Sequence, residues 1–267
     1  MTAGLGPTVH ASFYKLVTLD DPAAVAAGLR ALAKGLLGSV LVAHEGLNGV
    51  LAGPAAALDA FERELTQDPR FAGMAFKRSA CRTPPFARLA LHVKPEVVTV
   101  GVPYAPATGT QRTPQEWREL IARDDVVVLD NRNSFEFRLG HFAGAVDPGV
   151  TSFRDFPRYV AEHAAQWRAE GKQVAMYCTG GIRCEKTAGW MQGLGLTVHE
   201  LEGGILNYFQ AMPDAGREWQ GECFVFDNRI ALDTRLQQTA TTAEQVYAGE
   251  PDGGWRLARA KRLHDAV

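Results

Sequence analysis

The feature that most constrains this chain is an alternation in its second half. Short, mostly apolar runs at Val126–Asp130, Gln173–Tyr177 and Val198–Leu201 are separated by stretches with helical spacing. Those stretches are Gln115–Arg123, Phe156–Glu170 and Cys184–Leu194, with Ser134–Leu139 read as helix or loop. A strand that is apolar on both faces must be covered on both faces. Such strands between helices predict a parallel sheet with helices on each side. Residues 115–220 are therefore read as an α/β domain.

The first hundred residues follow a different rhythm. Ala11–Leu19 reads as a strand, and Asp20-Asp21-Pro22 starts a helix with proline near its first turn. Ala23–Leu37 carries Val25, Leu29, Leu32 and Leu36 at helical spacing. Ser39–Ala43 and Val50–Ala52 flank His44–Gly49, where Gly46 and Asn48-Gly49 supply turn chemistry, which predicts a hairpin. Pro54–Leu65 is a second helix, and Met74–Ser79 and Leu89–Val93 are further strands. The order β-α-β-β-α-β predicts a ferredoxin-like α+β domain over residues 1–100. Gly101–Pro114, with three prolines and two glycines, reads as a linker. Residues 237–267 are polar and aperiodic and read as a loosely ordered tail.

Composition removes several classes. At 267 residues, 46% hydrophobic and net charge -2, the chain has enough apolar content for a core, which excludes disorder as its main state. No apolar stretch approaches the roughly 20 residues of a spanning helix, so no membrane partner is expected. Met1–His10 lacks a signal-peptide pattern, which predicts a cytoplasmic protein. Near-neutral charge does not point to general nucleic-acid binding, and no DNA partner is expected. Four cysteines, at 81, 178, 184 and 223, are too few for a disulfide scaffold, and without a Cys-x-x-Cys pair no metal site is expected.

The chemistry concentrates in Tyr177-Cys178-Thr179-Gly180-Gly181-Ile182-Arg183-Cys184. A strand ends at Cys178, a double-glycine loop follows, and a helix starts near Arg183. Ligands bind open α/β sheets at such carboxyl ends. Gly180 and Gly181 let successive N–H groups turn inward as an anion nest. The helix N-terminus and Arg183 add positive charge, so the Cys178 thiol should ionise below its free value of about 8.5. Cys178 is thus the candidate thiolate nucleophile, and Thr179–Arg183 the loop that holds an anion or a persulfide. An inert strand-end cysteine is the competing reading, and it does not explain the Thr-Gly-Gly-Ile-Arg sequence beside it.

These residues carry a family resemblance. Cys178–Cys184, together with Val128–Arg132, Gly140–Ala145 and Leu201–Gly204, resembles the rhodanese domain. Met176–Lys186, with Gly221-Glu222-Cys223-Phe224-Val225-Phe226-Asp227-Asn228-Arg229 and Glu45-Gly46-Leu47-Asn48, resembles the rhodanese-domain tRNA uridine hydroxylases. The resemblance runs from about Ser12 to Leu232 and makes residues 221–236 a family-specific extension. It implies oxygen-dependent 5-hydroxylation of the wobble uridine of tRNA, with Cys178 passing through a persulfide. Molecular oxygen is the implied co-substrate, and no bound cofactor is evident. Two other readings stay open: a plain sulfurtransferase moving sulfane sulfur, and a non-catalytic module on the same fold. The oligomeric state is also open. A phosphatase is disfavoured, since related phosphatases place five residues between Cys and Arg and this loop has only Thr179–Ile182.

The remaining residues take supporting roles. Asp130 and Arg132, at a strand end, read as an ion pair that fixes loops, and Glu136 is read the same way. His141 reads as part of a structural turn. Cys184 is either a resolving thiol or a helix residue packed below the loop. Cys81 and Cys223 read as structural. Arg70 to Lys94 holds six basic residues and no acidic one, with Phe71, Phe76 and Phe86 interleaved. That combination suits phosphate contact and base stacking, and makes Lys77, Arg78, Arg82, Arg88 and Lys94 candidate RNA contacts. Arg256, Arg259, Lys261 and Arg262 form a second basic cluster near the end.

Overall fold

The computed structural model describes residues 8–81 and 85–264. The chain divides into two compact units, Met1–Val97 with Ala258–Val267, and Val98–Leu257.

The first unit contains β1 (Thr8–Leu16), α1 (Pro22–Leu32), β2 (Leu37–Ala43), β3 (Gly46–Pro54), α2 (Ala55–Thr66), β4 (Phe76–Cys81) and β5 (Leu89–Val93). The sheet order is β4-β1-β3-β2-β5. Its first four strands are antiparallel and give the ferredoxin-like arrangement, and β5 adds parallel to β2. The Asp21 carboxylate accepts from Ala24 N at 2.9 Å and caps α1, with Pro22 in the first turn. Val25 and Leu29 of α1 and Leu58, Phe61 and Leu65 of α2 bury against Phe13, Val40, Val42, Leu47 and Leu51 of the sheet.

The hairpin turns at His44-Glu45, not at Asn48-Gly49, which lies inside β3 opposite Val40 and Leu41. These glycines serve close packing. A side chain on Gly49 would meet the Phe13 ring at 2.6 Å.

The second unit runs β6 (Gln111–Arg112), α3 (Pro114–Leu120), β7 (Val126–Asp130), α4 (Ser134–Leu139), β8 (Gly140–Phe142), α5 (Phe156–Ala169), β9 (Gln173–Tyr177), α6 (Ile182–Gly193), β10 (Val198–Leu201), α7 (Gly204–Ala211), β11 (Trp219–Gly221), β12 (Cys223–Phe224), β13 (Ala231–Leu232), α8 (Ala243–Tyr247) and the start, up to Leu257, of α9 (Gly253–His264). Strands β6-β10-β9-β7 form one parallel sheet. Alternation along the strands divides the core. Val174, Met176, Cys178 and Val198 join Phe156, Val160 and Trp167 of α5 and Cys184, Ala188 and Met191 of α6. Ala175, Tyr177 and Leu201 join Trp117 of α3 and Ile205 and Tyr208 of α7. Helices therefore cover both faces, as two-sided apolar strands require.

Two stretches differ from the sequence reading. Gly101–Pro114 is not a free linker. Val100, with Val98, Val102 and Ala107, packs into the core beside α5 and α6, and Gln111-Arg112 is an edge strand. Thr108 and Gln192 of α6 exchange hydrogen bonds of 3.3 and 3.0 Å. The end of the chain is not a loose tail either. A capping box between Thr242 and Gln245 starts α8. Tyr247 packs its ring 5.2 Å from Phe135 of α4, and Arg256 donates to Thr151 O at 2.8 Å. These anchors are long-range contacts, which local periodicity does not report.

Candidate active site

Cys178 stands where β9 ends, and Gly181, at φ +101°, turns the chain into α6. That conformation favours glycine. It aims Gly181 N at the Cys178 Sγ, 3.1 Å away. Arg183 and Cys184, at the start of α6, act on the same sulfur through their backbone amides, and Cys184 also through its thiol, all favouring the charged form. Burial by itself would raise the Cys178 pKa; the Cys184 thiol, the Arg183 charge and these amides more than offset it and bring it to about 5. The sulfur is a thiolate at neutral pH. Cys184 is held protonated, first by burial and then by its hydrogen bond to Cys178.

The floor of the cup comes from the Leu201-Glu202-Gly203-Gly204 segment. Ile205 N donates to Cys178 O at 3.0 Å and Leu206 N to Thr179 O at 3.2 Å. Gly204 lies so close that a Cβ there would stand 2.8 Å from both Gly181 N and Thr179 O. Its φ of +70° also disfavours any side chain.

Arg183 is fixed from the side. Its guanidinium donates to Glu136 Oε1 at 2.8 Å and Oε2 at 2.9 Å, and to Asn131 O at 3.4 Å. Glu136 is fully buried and also accepts from Asn133 N at 3.2 Å. Such a bidentate pair sets both position and orientation. The rings of Phe153 and Phe226 lie 5.9 and 5.8 Å from the guanidinium carbon.

Asp130 and Arg132 form a fully buried pair at 2.6 Å, and Arg132 also donates to Gly140 O at 2.6 Å. Arg132 lies over Tyr177 and Trp219, on the sheet face away from Cys178 and α6. The pair buttresses the strand ends from behind. His141 Nδ1 donates to Phe137 O, 2.9 Å away, and the imidazole stacks on the Phe137 ring.

Two domain models match the chain, a UPF0176 acylphosphatase-like domain at residues 8–97 and a rhodanese-like domain at residues 113–211. A tRNA uridine(34) hydroxylase of Synechococcus elongatus is 47% identical over 232 residues, covering 85% of this chain and 86% of that protein. One from Deinococcus radiodurans is 43% identical and covers 97% of this chain and 85% of its own length. One from Legionella pneumophila is 38% identical, with 91% and 97% covered. The chain belongs to the tRNA uridine(34) hydroxylase family.

Within this family member, one buried acid escaped the sequence reading. Glu200 of β10 is buried on the α6 side, and its Oε1 accepts from Thr110 Oγ1 at 2.5 Å while Oε2 has no partner. Burial raises its pKa to about 7, and the negative Cys178 adds to the rise. An acid inside the four-residue strand Val198–Leu201 was the available signal. Thr179 Oγ1, in the loop itself, is likewise buried without a partner.

The basic run of the first unit does not make one patch. Lys77 and Arg78 lie on β4, whereas Arg88 and Lys94 flank β5 at the opposite edge of the sheet. Four strand spacings put those edges about 19 Å apart. Arg78 is neutralised by Asp59 at 2.7 Å and Glu62 at 2.9 Å, and Lys77 lies over the Tyr14 ring. Phe71 is core and Phe76 packs on Phe13 at 5.2 Å. Arg88 and Lys94 are exposed. Arg82 lies outside the described residues, as does the Arg262 side chain. In the terminal cluster, Arg256 is committed to Asp252 at 2.7 Å and to the Phe135 ring at 4.6 Å. No helix among the described residues is long and apolar enough to cross a membrane.

Proposed function

We infer that this protein hydroxylates carbon 5 of uridine 34 in tRNA, with Cys178 as the reacting group. The observation that carries the reading is a thiolate held by backbone amides beside Arg183, in a chain whose relatives bear that activity in their names. Plain sulfur transfer is not favoured, because those relatives are named for tRNA chemistry.

Cys178 is proposed to carry a sulfane sulfur as a persulfide. The residue is only 1% exposed, so a base meets its sulfur poorly. A persulfide moves the reactive atom about 2 Å outward, along one S–S bond. The same amides and Arg183 that stabilise the thiolate stabilise the persulfide anion, and the unpartnered Thr179 hydroxyl is a further donor. The target base must leave the anticodon stack to reach the loop. Arg88 and Lys94 are proposed to contact phosphates. A tRNA substrate accords with a cytoplasmic location.

Molecular oxygen is the proposed source of the new hydroxyl. Cells expressing the protein, grown under heavy-isotope oxygen gas, are expected to yield tRNA hydroxyuridine carrying the heavy atom. Incorporation from water instead would exclude molecular oxygen as the source of the hydroxyl.

A further inference from the structure

Phe226 is an anomaly of exposure. It is 57% exposed, while its neighbours Phe224, Val225, Asp227 and Arg229 are buried. The ring is also held firmly. Asp227 and Arg229 close a clasp around the turn, with Arg229 N and Nε donating to Oδ1 at 2.9 Å and Nη2 to Oδ2 at 2.6 Å. Val225 N donates to Ile230 O at 2.8 Å and Ile230 N to Asp227 O at 3.0 Å. Ile230, a β-branched residue, sits at φ +63°, a conformation kept only where surroundings enforce it. The Phe224 ring meets Phe226 edge-on at 4.9 Å. A turn built this tightly presents the ring instead of letting it fold inward.

The ring also stands at the site. It lies 5.8 Å from the guanidinium of Arg183, the side chain whose charge lowers the Cys178 pKa. A base removed from its stack loses stacking on both faces, and an aromatic ring is the usual replacement. We propose that Phe226 is the platform on which the target uracil stacks when it reaches the Cys178 loop. This rests on the tRNA reading above and adds to it a named contact for the base. Phe153, the other ring beside Arg183, is buried and serves as wall, not platform.

The test uses the full chain and an anticodon stem-loop RNA bearing either uridine or an abasic site at position 34. Wild type is expected to prefer the uridine form by about 10-fold, within the range for one stacked base. Phe226→Ala and Phe226→Leu are expected to lose the preference, and Phe226→Tyr to keep it. All three should leave the ultraviolet thiolate titration of Cys178 unchanged, which a collapsed site would not. Equal preference in wild type and Phe226→Ala overturns the platform. A second measurement separates the two levels. If wild type restores hydroxyuridine in cells while Phe226→Ala keeps the preference, only the platform fails. If wild type produces no hydroxyuridine, the tRNA reading fails and the platform with it.

Discussion

Cys178 and Cys223 are both buried thiols of the second unit, and their chemistry diverges completely. For both, burial is the largest influence and pushes the pKa up. Cys223 stays up, at about 12. Cys178 falls to about 5. Around Cys223 the charges of Arg132 and Arg183 are opposed by Asp130 and Glu136, and its own contact is a 3.6 Å approach to Phe224 O. Around Cys178 the neighbours act in one direction: Gly181 N donates to the sulfur at 3.1 Å, and Cys184 and Arg183 favour its charged form. A low-dielectric site magnifies the charges and donors that stand in it, so equal burial leaves Cys223 a thiol while the groups around Cys178 favour its thiolate. Ionisation of a buried thiol in this unit is set by the loop around it, not by exposure.

The sharpest test of that contrast is a pH titration of ultraviolet thiolate absorbance. Cys178 is expected to lose its signal as pH falls through about 5, and Cys223 to gain none until about 12. The sign follows from linkage. A lowered folded pKa contributes stability present above the unfolded value and lost as pH falls through the folded one. A Cys178 midpoint near that of free cysteine would break the comparison.

Gly204→Ala breaks it from below. A methyl there meets Cys178 O, Thr179 O and Gly181 N, so the cup must open. Activity is expected to fall by about 100-fold, as for an ångström-scale misplacement of catalytic groups. The Cys178 midpoint should rise with it, and an unchanged midpoint would show that the floor does not shape the cup.

A smaller effect is expected far from either sulfur. Replacing Arg88 and Lys94 by glutamine should lower tRNA affinity. The salt slope should become shallower by about 0.7–0.9 for each phosphate no longer neutralised, measured by binding across salt concentrations. Arg78→Gln is expected to change the slope less, since Asp59 and Glu62 already hold that charge.

What was legible in the sequence was local. Val126–Asp130, Gln173–Tyr177 and Val198–Leu201 stand as β7, β9 and β10 with the limits their patterns gave. The Cys178 loop was readable because its donors lie within six residues of the sulfur. The supports of that loop come from elsewhere: Glu136 on α4, Gly204 at the start of α7, Glu200 on β10 and Phe226 beyond β12. Each is brought in by chain reversals that no periodicity specifies. The basic run looked continuous only because sequence order hides sheet order, which sends β4 and β5 to opposite edges. The terminal helices were missed for the related reason that Tyr247 and Arg256 find partners about a hundred residues back, at Phe135 and Thr151. The Thr242-x-x-Gln245 capping box was nevertheless there to be read.

The central claim is that the Cys178 thiolate, and no other buried sulfur, carries the tRNA chemistry. Nucleoside mass spectrometry of tRNA from a host lacking this protein, complemented with wild type, Cys178→Ala or Cys223→Ala, tests it directly. Hydroxyuridine restored by wild type and by Cys223→Ala, and absent with Cys178→Ala, is the predicted result. Hydroxyuridine restored by Cys178→Ala would remove the cysteine from the mechanism and contradict the account.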